Sequence, residues 1–132
     1  MTRIVFIRVQ EKFSKLEKLY QIAYKHFFQK QPLLFLISDP VALEFLDQFF
    51  WDTPPHSFLP HPTPLLSIEL SVIENYPYIF NLSPKPILKV EEINTIYELE
   101  DHTSPERLRQ SQEKHKCYEE RVPHCLEKRG GY

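Results

Sequence analysis

The side chains best suited to metal binding or nucleophilic attack are six histidines and two cysteines. His56 and His61 stand five residues apart with Asp52 upstream, and Cys117 lies between His115 and His124. A structural zinc site needs Cys or His pairs at closed tetrahedral spacing, and the chain contains neither a CxxC nor an HxxxH pattern. His56 and His61 therefore read as surface or loop-bracing histidines, with His61 able to hold its loop by a ring hydrogen bond. A nucleophilic cysteine or serine needs an oxyanion hole or a glycine-shaped elbow, and nothing near Cys117 supplies one. No catalytic constellation, metal or cofactor is expected.

Two other groupings suit binding. Arg107, Lys114, Tyr118 and Arg121 fall on one face of a helix at 100° per residue. They read either as a solvated charged face or as a short cationic groove with an aromatic wall. Such a groove would suit an acidic peptide that ends in an apolar side chain and a free carboxylate. Trp51 and Phe58 flank a stiff proline loop, with Leu59 and Pro60 beside them. Both aromatics read either as core residues at a helix end or as surface anchors for a partner, since Trp is enriched at interface hot spots. A proline loop lowers the ordering cost of such binding.

The only glycines are Gly130 and Gly131. A dinucleotide fold and a P-loop both need glycine where a helix N-terminus meets phosphate, so neither is expected in residues 1–129. Most of the twelve prolines fall between Pro54 and Pro86 and set rigid loops there. A net charge of −2 argues against coating nucleic acid by counterion release. Cys117 and Cys125, if on one helix, lie about 12 Å apart along its axis, too far for a disulfide. Two reduced thiols are expected, in a soluble cytoplasmic protein with no signal peptide and no apolar run long enough for a membrane span.

These groups must be positioned by a packed fold, and hydrophobic residues make up 42% of the chain, enough for one core. Residues 3–9 are nearly continuously apolar, as in a strand covered on both faces. Ser14 is read as the cap of a helix whose apolar positions are Phe13, Leu16, Leu19, Tyr20, Ala23 and Phe27, with Lys15, Lys18 and Lys25 opposite. Residues 33–37 form a second buried strand. Ser38-Asp39-Pro40 then opens a helix with Ala42, Phe45, Leu46, Phe49 and Phe50 on its apolar face, ending at Trp51. Strands are expected at 65–70, 78–82 and 93–99, the last with Ile96 and Tyr97 partly exposed among acidic neighbours. Ser104-Pro105 opens a final helix over about 105–121, docked through Leu108 and Val122 and followed by a short tail. This order predicts one three-layer α/β domain over 1–132, Rossmann-like, with a mostly parallel sheet and helices on both faces.

The segment Leu46-Asp47-Gln48-Phe49-Phe50-Trp51 followed by Ser57-Phe58-Leu59-Pro60-His61 resembles the signature of the chi subunits of the bacterial DNA polymerase III clamp loader. In that family a helix ending Leu-Asp-x-x-Leu/Phe-Trp runs into a loop reading Ser-Phe-Val/Leu-Pro-His. The terminal Lys116-Cys117-Tyr118 and the order of elements agree. Val122-Pro123-His124 departs from the family's Gly-aromatic continuation, and the last helix carries fewer arginines. The resemblance implies a catalytically silent replication accessory subunit. Its partners would be a psi-like clamp-loader subunit or, in some bacteria, a helicase at Trp51, Phe58, Leu59 and Pro60. It would also take the acidic C-terminal tail of single-stranded DNA-binding protein at Arg107, Lys114, Tyr118 and Arg121, and meet DNA only indirectly. The competing reading is a small α/β enzyme or ligand-binding domain using His61 or Cys117.

Overall fold

A computed structural model of the chain describes residues 2–52, 66–69, 76–88, 90 and 93–129. In chain order the elements are β1 (Arg3–Val9), α1 (Lys12–Phe28), β2 (Leu33–Leu36), α2 (Pro40–Asp52), β3 (Leu66–Glu69), β4 (Tyr78–Asn81), β5 (Thr95–Asp101), α3 (Pro105–Arg121) and β6 (Leu126–Arg129), with a 3-10 turn at Pro123–Cys125 before β6. Among the described residues six strands pair in the order β3-β2-β4-β5-β1-β6. Every pairing is parallel, which makes this the α/β Rossmann-like fold expected of the sequence.

Period-two alternation divides the apolar residues between two cores. Val5, Ile7, Leu33, Phe35, Phe80, Tyr97 and Leu99 point to one side, where Leu19, Ile22 and Ala23 of α1 and Leu46 of α2 cover them. Ile4, Phe6, Leu34, Ile79 and Ile96 point to the other, beneath Tyr118 of α3 and the Ile87, Val90 and Ile93 connection. Both sheet faces are thus buried, which is why β1 and β2 read as unbroken apolar runs.

Several local expectations need correction. Helix α1 starts at Lys12, with Glu11 as its extended N-cap, so Ser14 lies inside the first turn and caps nothing. Phe13 is 72% exposed, because the buried face of α1 is Leu19, Ile22, Ala23 and His26. On α2, Phe45 is exposed and Ala42 faces outward, while Leu46 is buried. Ile96 and Tyr97 are fully covered, since β5 is a central strand paired to β4 and β1 and its acidic neighbours have partners of their own. The strand at 95–101 is also not the last. The turn at Pro123–Cys125 carries the chain to β6, which adds to the edge of β1 with Ile4 opposite Leu126. Leu126-Glu127-Lys128-Arg129 has one apolar residue among charges, a composition that suits a sheet edge and hides the strand from a periodicity reading.

Glycine poverty shows at the end of α1. Gln31 donates its N–H to the His26 carbonyl at 2.9 Å and Lys30 donates to that of Phe27 at 3.2 Å, a Schellman closure. Its left-handed position is held by Lys30 at φ 57°, where glycine is usual.

His26 was not among the residues expected in the core. It is 1% exposed, shares a 2.6 Å hydrogen bond between Nε2 and the Tyr97 hydroxyl, and meets Tyr78 edge-on. Burial, joined by the nearby Lys25 charge, lowers its pKa to about 4. The unfolded chain, with an ordinary histidine near 6.5, therefore binds the proton more strongly. Stability should be full above about pH 6.5 and fall by on the order of 2 kcal/mol as pH drops toward 4. Urea midpoints across that window would show it, with His26→Gln losing this part of the slope. An equally steep slope in the variant would rule His26 out as the source.

Candidate functional site

In a parallel α/β sheet each helix begins where a strand ends, so the N-termini of α1, α2 and α3 gather at the carboxyl edge. The chain leaves β2 toward α2 on one face and leaves β4 toward Ile87, Val90 and Ile93 on the other. The strand order thus reverses between these neighbours, the point at which open α/β sheets commonly take ligands. A cleft of about 580 Å³ opens over this edge.

Local sequence sets its walls. Asp39 Oδ1 accepts the Val41 N–H at 3.0 Å and Ser104 Oγ accepts the Arg107 N–H at 3.2 Å, and proline follows each cap. Leu16, Phe45 and Leu46 make an apolar wall, faced by Ser83, Asp101, Arg107 and Lys114. Lys15 donates to Asp101 at 2.8 Å. Burial works against the charged form of Asp101, but bonds from Lys15 and from Thr103 outweigh it and hold the carboxyl below its usual range. Lys12 and Arg107 are exposed cationic residues of the lining and meet no carboxylate among the described residues.

Beneath the cleft lies a polar network that sequence reasoning missed. Glu98, on the α3 side of β5, is 0% exposed. Its carboxylate accepts from Lys114 Nζ at 2.6 Å, from the Tyr118 hydroxyl at 2.6 Å and from Asn81 Nδ2 at 2.7 Å. Lys114 also donates to the Ser83 carbonyl at 2.9 Å, and Tyr118 Oη accepts the Ile87 N–H at 2.9 Å. Asn81 donates to the Lys85 carbonyl and accepts from the Ser83 N–H and hydroxyl. Burial pushes the Glu98 carboxyl up, opposed by Lys114, Tyr118 and Asn81. Burial and the Glu98 charge together push the Tyr118 phenol far above its usual value. With no exposed oxygen and three donors satisfied, Glu98 is a brace for the 81–87 segment, one rim of the cleft.

The four residues grouped on α3 are therefore divided. Lys114 and Tyr118 are 6% and 2% exposed and turn toward Glu98, whereas Arg107 and Arg121 are exposed. Arg107 lines the cleft and Arg121 does not, standing about 21 Å further along the helix. The expected open cationic groove with an aromatic wall is corrected accordingly: α3 docks through Ser111, Lys114 and Tyr118, with Val122 packed beside them. Leu108 is only partly covered. A buried carboxylate in a strand was the missing signal, visible as Glu98 inside Ile96-Tyr97-Glu98-Leu99.

Trp51 belongs to the last turn of α2, while Phe58, Leu59, Pro60, His56 and His61 lie outside the described residues. Cys117 and Cys125 are free thiols, the first on α3 and absent from the cleft lining. Among the described residues no three His, Cys, Asp or Glu side chains group as metal ligands, and no helix is long and apolar enough to cross a membrane. The family model for DNA polymerase III chi subunit, HolC, matches residues 1–127. No curated protein matches the chain.

Proposed function

The chain belongs to the DNA polymerase III chi subunit family and is accordingly an accessory subunit of that replicative enzyme, and from this premise we propose that it is a non-catalytic linker between single-stranded DNA-binding protein and the clamp loader. The acidic C-terminal tail of the binding protein docks at the cleft. Arg107 and Lys12 meet its carboxylates, and Leu16, Phe45 and Leu46 receive its apolar side chain. The segment Trp51, Phe58, Leu59 and Pro60 takes a psi-like subunit or a helicase, and DNA is reached through these partners.

The observation that carries the reading is the pairing of exposed cations with an apolar wall in one cleft at the carboxyl edge of the sheet. A few charge-assisted contacts and one buried side chain correspond to micromolar affinity, about −8 kcal/mol. Exposed charges are screened, so affinity should fall as salt rises. In calorimetric titration with the tail peptide, Arg107→Glu should weaken binding at least about tenfold, and Arg121→Glu far less. Equal affinity in the two variants, or undiminished binding of a peptide lacking its terminal apolar residue, would sink the reading. The enzyme alternative has no support at Cys117, which stands apart from the cleft.

A further inference from the structure

Lys114 belongs to two sites at once. Its side chain is 8% exposed and gives one N–H to Glu98 Oε1 at 2.6 Å and one to the Ser83 carbonyl at 2.9 Å. An ammonium carries three donors, and the third has no partner among the described residues. Lys114 also lines the cleft, about 10 Å along α3 from Arg107. The third N–H is left for a group that enters there.

Glu98 is held unevenly. Its Oε2 accepts from both Tyr118 and Asn81, whereas Oε1 accepts from Lys114 alone. Among the described residues Lys114 is the one cation bonded to it. The other charged groups on that side of the sheet have partners of their own or face solvent. Glu100, two positions along β5, meets His102 and Arg8. His115 of α3 packs edge-on against Phe6 and pairs with Glu119, and Lys85 is exposed. A carboxylate that takes the third N–H therefore sets two anions on one ammonium. Like charges sharing a site disfavour full ionisation of both, and the fully buried one is the costlier to keep charged.

Resting on the tail-binding reading, we propose that Lys114 is a shared cation, and that a tail carboxylate entering the cleft draws one proton from solvent onto Glu98 Oε1. The proton leaves again when the peptide does, and Oε2 keeps its two donors throughout. Burial already raises the Glu98 carboxyl with the lysine in place. A bound state that holds more protons than the free state gains affinity as pH falls, by at most about tenfold per pH unit for one proton. Tail carboxyls themselves titrate near pH 4, below the window of about pH 5.5–8 in which the effect is read.

Two measurements on the full chain test it. In carboxyl-carbon NMR of glutamate-labelled protein, the Glu98 midpoint should move up when the tail peptide saturates the cleft. Calorimetric titration in two buffers of different ionisation enthalpy should show uptake of up to one proton per peptide. Glu98→Gln/Lys114→Met, verified by a cooperative melt, should show none, with Arg107 and Lys12 still binding the peptide. Peptide binding with the same heat in both buffers and an unmoved Glu98 midpoint would overturn the shared cation and leave the tail reading standing. Uptake that persists in the double variant would overturn it too, by assigning the proton to His102 or His115. A peptide that does not bind at all would defeat the tail reading, and this inference with it.

Discussion

Lys114→Met should destabilise the fold by about 3–5 kcal/mol, the cost of removing one partner from a buried ion pair. The variant fills the same space but removes the cation from Glu98, whose other donors among the described residues are Tyr118 and Asn81. The Ser83 carbonyl loses its donor as well, and the rim of the cleft loses one of its ties to α3. A double variant, Glu98→Gln/Lys114→Met, removes the stranded charge and should recover a good part of the loss. Urea denaturation of the four proteins gives the coupling directly, expected at about 2–3 kcal/mol. The deficit should also shrink at acid pH. Burial raises the Glu98 carboxyl in the folded state above its unfolded value, so protonation favours the folded variant as pH falls through that raised value. A loss below about 1 kcal/mol would mean that the ammonium is hydrated rather than held in the network.

Under the proposed function, Trp51→Ala and Phe58→Ala should each cost about 2–4 kcal/mol of binding to a psi-like or helicase partner, a drop of roughly 30-fold to 1,000-fold. Aromatic anchors in a proline-stiffened segment concentrate binding energy because little chain entropy is lost on docking. The tail peptide should bind both variants as it binds the native chain. Surface plasmon resonance with the partner, beside calorimetry with the peptide, separates the two sites. If either variant instead loses its cooperative melting transition, that aromatic belongs to the core and the anchor assignment fails.

What could be read from the residues alone was whatever is encoded within a few positions. The runs at 3–9 and 33–37 announced strands buried on both faces, and Ser38-Asp39-Pro40 and Ser104-Pro105 marked the starts of α2 and α3 because cap and proline act within one turn. Leu46 through Trp51 with Ser57 through His61 carried the family. The sites were less legible, since their partners are far apart along the chain. Lys114 and Tyr118 look like outer-face residues by hydrophobicity, and only Glu98, brought beneath α3 by the sheet, turns them inward. Phe13 looks like a core residue by the same measure, yet α1 has one side against the sheet, and Leu19, Ile22, Ala23 and His26 occupy it. Strand β6, with one apolar residue, forms because β1 offers it an open edge. Local propensity chose the elements. Tertiary contact decided which face of each is inside, because a charge or an aromatic ring is buried or exposed according to the partner that meets it.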